Sequence, residues 1–93
     1  MVKRSLPSVV AVRHLGGHRL ALEFDDGLAG EVDLRRHLGG RFTGVFQPLA
    51  DPAYVGRVQL LVDADTVSWP NGADLDPLVL YCAIKGVPVT SLD

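Results

Sequence analysis

The sequence predicts a small α+β domain: an antiparallel β-meander plus a second β-hairpin, one short helix or helical turn mid-chain, and a C-terminal helix packed on the sheet. Three observations carry this. Residues 8–34 alternate apolar and polar with period two between glycine-bearing turns, residues 58–69 repeat the alternation around Asp63-Ala64-Asp65, and Asp76-Pro77 opens an apolar run that Gly86 and Pro88 close. With 93 residues and 47% hydrophobic content the chain has material for one core, and residues 1–93 read as a single domain without repeat or linker.

The meander turns at Gly16-Gly17 and at Asp25-Asp26-Gly27. If the loop 25–27 pairs Phe24 with Leu28, then Leu22 faces Gly30 and Leu20 faces Val32, so the large apolar side chains share one face. The opposite face then reads Glu23 with Ala29, Ala21 with Glu31, and Arg19 with Asp33 as a cross-strand ion pair. Gly27 supplies the left-handed backbone that a three-residue hairpin loop needs. Pairing Leu15 with Arg19 across Gly16, Gly17 and His18 sets Val10 opposite Phe24, Val12 opposite Leu22 and His14 opposite Leu20. That places His14 at one end of the apolar face and His18 in the loop.

Arg35, Arg36, His37 and Leu38 make one helical turn before Gly39-Gly40, and residues 41–47 are ambiguous. Asp51 followed by Pro52 joins an N-cap oxygen to a proline at the first helical position, and Gly56 limits that helix to about one or two turns. Val58, Leu60 and Val62 alternate as a strand, residues 63–65 turn, and residues 66–69 return, pairing Val62 with Val67 and Leu60 with Trp69. Pro70 stops the pairing and Asn71-Gly72 turn the chain. Asp76 then caps a helix of roughly nine residues through Leu78, Leu80, Tyr81 and Ile84, short enough to depend on docking against the sheet. In the stretch from Val67 to Pro77 only Asp74 has no structural task, and a bond to its own loop would be ordinary for aspartate.

The spacing of chemically capable residues points away from catalysis. The single Cys82 sits among Leu80, Tyr81, Ala83 and Ile84 as a packing residue, which favours a reducing compartment. His14, His18 and His37 complete no spaced ligand set, so no metal is expected. The run from Asp63 lacks the later glycine and glutamate of a calcium loop, and the Gly-Gly pairs lack the lysine of a phosphate loop. Ser68 has no strained elbow to present it as a nucleophile. The carboxylates of Asp63, Asp65, Asp74 and Asp76 fall in turns where water screens them. The expectation is no enzyme and no cofactor.

Net charge is -2, with seven basic and five acidic residues in 1–50 against two and six in 51–93. The basic cluster Arg35, Arg36, His37 and Arg41 lacks interleaved aromatics, so nucleic acid is not expected as a partner of this domain by itself. The acidic second half favours a protein partner with a basic surface. Candidate partner-binding residues are Asp63, Asp65, Asn71, Asp74 and Asp76, with Trp69 or Tyr81 as apolar anchor if either is exposed. A homo-oligomer through an open sheet edge is a further candidate, as is a small-molecule-binding or sensory domain closing around Trp69 to Asp74. Met1 to Leu6 carry Lys3 and Arg4 without an apolar run behind them, and no window reaches the length of a membrane span. A cytoplasmic, unprocessed protein is the expectation.

Three stretches, "LALEFDDGLAGEVDLRRHL", "FQPLADPAYVGRVQL" and "TVSWPNGADLDPLVLY", together resemble the small bacterial family known as domain of unknown function 2442, over about Val10 to Tyr81. The W-P-N-G-A-D-L motif with a following L-Y is the specific part. The resemblance implies a small α+β domain without established enzymatic activity and transfers no catalytic residue. It also implies two settings: fusion to a C-terminal helix-turn-helix, which the few residues after Tyr81 are too short to form, and pairing with a short adjacent-gene protein in toxin–antitoxin-like arrangements. An antitoxin-like interaction module is the leading expectation.

Overall fold

The computed structural model describes residues 7–88. Its first sheet is the expected antiparallel meander, β1 (Val9–Gly16), β2 (Arg19–Phe24) and β3 (Ala29–Asp33), in the order β1-β2-β3. The β2–β3 register is the predicted one throughout, from Glu23 opposite Ala29 to Arg19 opposite Asp33. Leu20, Leu22, Phe24 and Val32 are accordingly buried on a single face.

Three details of the meander differ from expectation. Val9, not Val10, pairs with Phe24, and a bulge at Val10 leaves that side chain 47% exposed. The cause is an anchor at the start of the strand: Val9 N–H donates to Asp65 O and Asp25 N–H donates to Ser8 O, each at 2.9 Å. Second, the β1–β2 turn is tighter, with Gly16 opposite Arg19, because Gly16 and Gly17 both adopt positive φ. Third, Arg19 pairs not with Asp33 but diagonally with Glu31 at 3.1 Å. Asp33 is engaged elsewhere, its side chain accepting from Arg35 N–H as the N-cap of α1 (Leu34–His37).

The mid-chain holds the two short helical pieces expected, after Asp33 and after Asp51, and one more between them. After α1, a seven-residue 3-10 segment Gly44–Ala50 begins within the ambiguous stretch 41–47, runs past it and buries Leu49, followed by α2 (Pro52–Val55) capped by Asp51. His18 is a fastener here rather than a free loop residue: it is buried, stacks on Phe42 at 5.2 Å, and its Nε2 lies 3.1 Å from Ala50 O.

The second hairpin joins β4 (Gln59–Leu61) to β5 (Thr66–Ser68). Leu60 faces Val67 and Leu61 faces Thr66, a two-residue shift from the expected pairing of Val62 with Val67. The shift keeps every side chain on its face, which is why alternation alone cannot detect it. Val62–Ala64 form a 3-10 turn that ends on Asp65 in left-handed conformation, so Val62 leaves the strand.

The last helix, α3 (Pro77–Lys85), matches expectation in cap, length and stop: Asp76 accepts from Leu78 N–H, and Gly86 closes it at φ 80°. It lies across the apolar face of the sheet. Tyr81 meets Phe24 edge-on at 5.1 Å, and Ile84 fits over Gly30. Cys82 is buried, as its neighbours suggest. The other face of the sheet, with Ala11, Arg13, Arg19, Glu23, Ala29 and Glu31 exposed and Ala21 half-buried, is left uncovered by any described element.

Candidate functional site

The tryptophan corner is built inward. Trp69 is 1% exposed, and its indole N–H donates to Val55 O at 3.1 Å. Trp69 N–H donates to Ala73 O and Gly72 N–H to Trp69 O, closing a tight turn in which Gly72 takes φ 90°. Asn71 is solvent-exposed but fully committed: Oδ1 accepts from Ala73 N–H, Nδ2 donates to Val45 O at 2.8 Å, and the backbone N–H donates to the Tyr54 hydroxyl. Thr66 Oγ1 adds a bond to Leu75 O. The motif therefore ties the 3-10 segment, α2 and β5 to one another. Among the described residues no buried side-chain nitrogen or oxygen lacks a partner.

The exposure on which Trp69 or Tyr81 would serve as an apolar anchor is not met. Trp69 is sealed, and Tyr81 is only 9% exposed, its ring against Phe24 and its hydroxyl donating to Asp26 Oδ2. Neither offers a partner an aromatic face. Asp74 is exposed, but it is bridged through its backbone to Ser68 and stands nearer the corner than the hairpin turn.

The acidic residues converge at the opposite end of the hairpin. Ser8 is the stitch: its carbonyl accepts from Asp25 N–H, and its hydroxyl donates to Asp65 Oδ1 at 3.0 Å. The β2–β3 turn, with Asp25 and Asp26, is thus held beside the β4–β5 turn, with Asp63 and Asp65. Asp76 joins this end through Leu75, whose carbonyl Thr66 grips. Within the second turn Asp65 is the only non-glycine residue of positive φ among the described residues, at 60°, and Val62 stands 77% exposed. Sequence reasoning missed Val62 and Val10 because both were assigned to paired strand positions. It passed over Asp25 and Asp26 because they served as turn markers.

Electrostatics single out one carboxylate here. Asp26 is held below its ordinary range, first by the Tyr81 hydroxyl and then by the bond from Leu28 N–H. The hydrogen bond to Asp26, with burial, raises Tyr81.

At the far end of the sheet Arg35, Arg36 and Arg41 are exposed, and burial lowers His37. The concavity there, about 550 Å³, mixes Arg19, Arg36 and His37 with Glu31 and Asp33. Opposite signs at that spacing favour no simple anion. Among the described residues no three His, Cys, Asp or Glu side chains are placed to hold a metal, and no helix is long and apolar enough to cross a membrane.

No curated protein and no solved structure matches the chain. One family does: its model, described as protein of unknown function (DUF2442), matches residues 9–86, most of the chain, and the chain belongs to that family.

Proposed function

With membership of that family as the premise, we propose that this chain is a bacterial, cytoplasmic, non-enzymatic interaction module, the antitoxin-like partner of a small protein encoded beside it. The acidic end is its contact surface. The observation that carries this reading is Val62, a large apolar side chain 77% exposed on the turn that carries Asp63 and Asp65, a turn fixed through Asp65 by bonds from Ser8 and Val9, with Asp25 bonded to Ser8 in turn. A turn so fixed loses little freedom on binding. Its carboxylates steer a basic surface and exclude acidic ones, and the valine supplies the apolar contact the sealed aromatics do not.

Co-expression with the product of the adjacent reading frame, followed by affinity capture, tests the reading. Association should be strong at low salt, weaken as salt rises, and relieve any growth inhibition the partner causes. Asp63→Lys combined with Asp25→Lys should abolish capture while leaving the fold intact, since neither side chain is buried. Absence of both association and growth relief contradicts it.

A further inference from the structure

The uncovered face of the meander carries its charges in a pattern complementary to itself. The register sets three levels across the strands: Ala11, Glu23 and Ala29; then Arg13, Ala21 and Glu31; then Gly16, Arg19 and Asp33. Ala21 is thus the centre of a cross whose arms are Glu23 and Arg19 along its own strand and Arg13 and Glu31 on the strands beside it. All four charged arms are exposed, and between them the alanines leave a concavity of about 540 Å³. Arg19 and Glu31 pair within the chain at 3.1 Å, whereas Arg13 and Glu23 have no ion-pair partner among the described residues.

The geometry points to a second copy of this chain as the occupant of that face, related by a two-fold axis lying diagonally across it. A two-fold along the strands stacks Glu23 on its own copy and Arg19 on its own copy. One across the strands does the same to Arg13 and Glu31. One diagonal sets Arg13 on the second copy's Arg19. The remaining diagonal brings Arg13 onto the second copy's Glu23, and Arg19 onto its Glu31, each twice, with Ala21 against Ala21 at the centre. Strands of the two copies then cross near a right angle, an established way for sheets to pack face to face. Isologous contacts of this kind close at two copies. At about 4.8 Å per strand and about 3.4 Å per residue the nine positions span roughly 300 Å² per copy, well below a standard interface, so the dimer is weak and concentration-dependent.

Sedimentation equilibrium of the full chain from about 10 µM to about 1 mM, a range matched to weak association, tests this with three proteins whose folding is checked by circular dichroism. The wild type should be monomeric at the low end, dimeric at the high end, and more dissociated in high salt. Arg13→Glu and Glu23→Arg should each weaken self-association by about tenfold or more, since each creates two like-charge contacts. Mixed in equal amounts, the two variants should associate with each other as the wild type does with itself, because each supplies what the other's face repels. Arg13→Ala serves if a reversal impairs folding, and should weaken the dimer less. A wild type still monomeric at the top concentration, a dimer indifferent to both reversals, or variants that fail to associate when mixed would each overturn the assignment. The acidic turn lies on other residues, so these substitutions leave partner capture through Val62 and Asp63 unchanged, and the two readings fail separately.

Discussion

Gly30 lies directly under Ile84 of α3, and replacing it with alanine is a stringent probe of that packing. A Cβ at Gly30 would lie 2.6 Å from Ile84 Cγ2, with Ile84 Cβ and Cγ1 each at 3.6 Å. Carbon atoms prefer about 3.5–4.0 Å, so the helix must withdraw by about 1 Å or Ile84 must leave its rotamer. Overpacking of this kind costs about 1–3 kcal/mol. Relief of glycine's backbone entropy returns about 0.5–1 kcal/mol. The net expectation for Gly30→Ala is a loss of about 1–2 kcal/mol, a fall in melting temperature of roughly 5–15 °C for a domain of this size. Urea unfolding followed by the fluorescence of Trp69, the chain's one tryptophan, measures it. Ile84→Ala is destabilising alone, but in its background Gly30→Ala should cost nothing, a coupling of about 1–2 kcal/mol between the two sites. A Gly30→Ala protein as stable as wild type, or a cycle in which the two effects simply add, would refute the reasoning.

The other predictions concern the corner and the acidic end. Asn71→Ala removes the acceptor for Ala73 N–H and the donor to Val45 O, and should cost about 1–3 kcal/mol in the same unfolding assay. Tyr81→Phe removes the bond that depresses Asp26, and its effect on pH dependence has a definite sign. A carboxyl whose folded pKa lies below its ordinary 3.8 contributes stability that is present above that value and lost as pH falls through the folded one. Tyr81, raised above 10.0, contributes through the same bond below that value and loses it as pH rises further. Tyr81→Phe should therefore flatten the stability profile at both extremes. It should leave the decline that begins near pH 6.5 on acidification, where His37, lowered by burial, resists protonation.

Much of this fold was legible in the sequence because its signals were local and redundant. Asp-Pro at 51–52 and at 76–77, with Gly56 and Gly86 behind them, bracket α2 and α3 as read. The β2–β3 register followed from requiring Leu20, Leu22, Phe24 and Val32 to share a face. The errors arose where a specific hydrogen bond, distant or local, overrode the alternating pattern. Val10 leaves the core because Val9 is tied to Asp65, fifty-six positions away. The second hairpin slid by two residues because the turn absorbed Val62 into a 3-10 segment, and a two-residue slip leaves the alternation unchanged. Arg19 chose Glu31 because Asp33 had a helix to cap.

The candidate site was legible in part for the same reason. Asp63, Asp65 and Asp76 were identifiable as exposed acidic turn residues. That Ser8 would draw Asp25 and Asp26 alongside them depends on tertiary bonds that no local spacing encodes. Trp69, given a structural task at the end of its strand, is buried as that task requires, whereas the sealing of Tyr81 depends on its docking against Phe24.

A calorimetric titration of the adjacently encoded protein into wild type, Val62→Arg and Asn71→Ala, with the melting temperature of each, separates scaffold from contact surface. Val62→Arg should melt with the wild type and bind far more weakly. Asn71→Ala should melt lower yet, well below its transition, bind as the wild type does. A folded Asn71→Ala protein that fails to bind, beside a Val62→Arg protein that binds normally, would move the contact surface to the tryptophan corner and contradict the account.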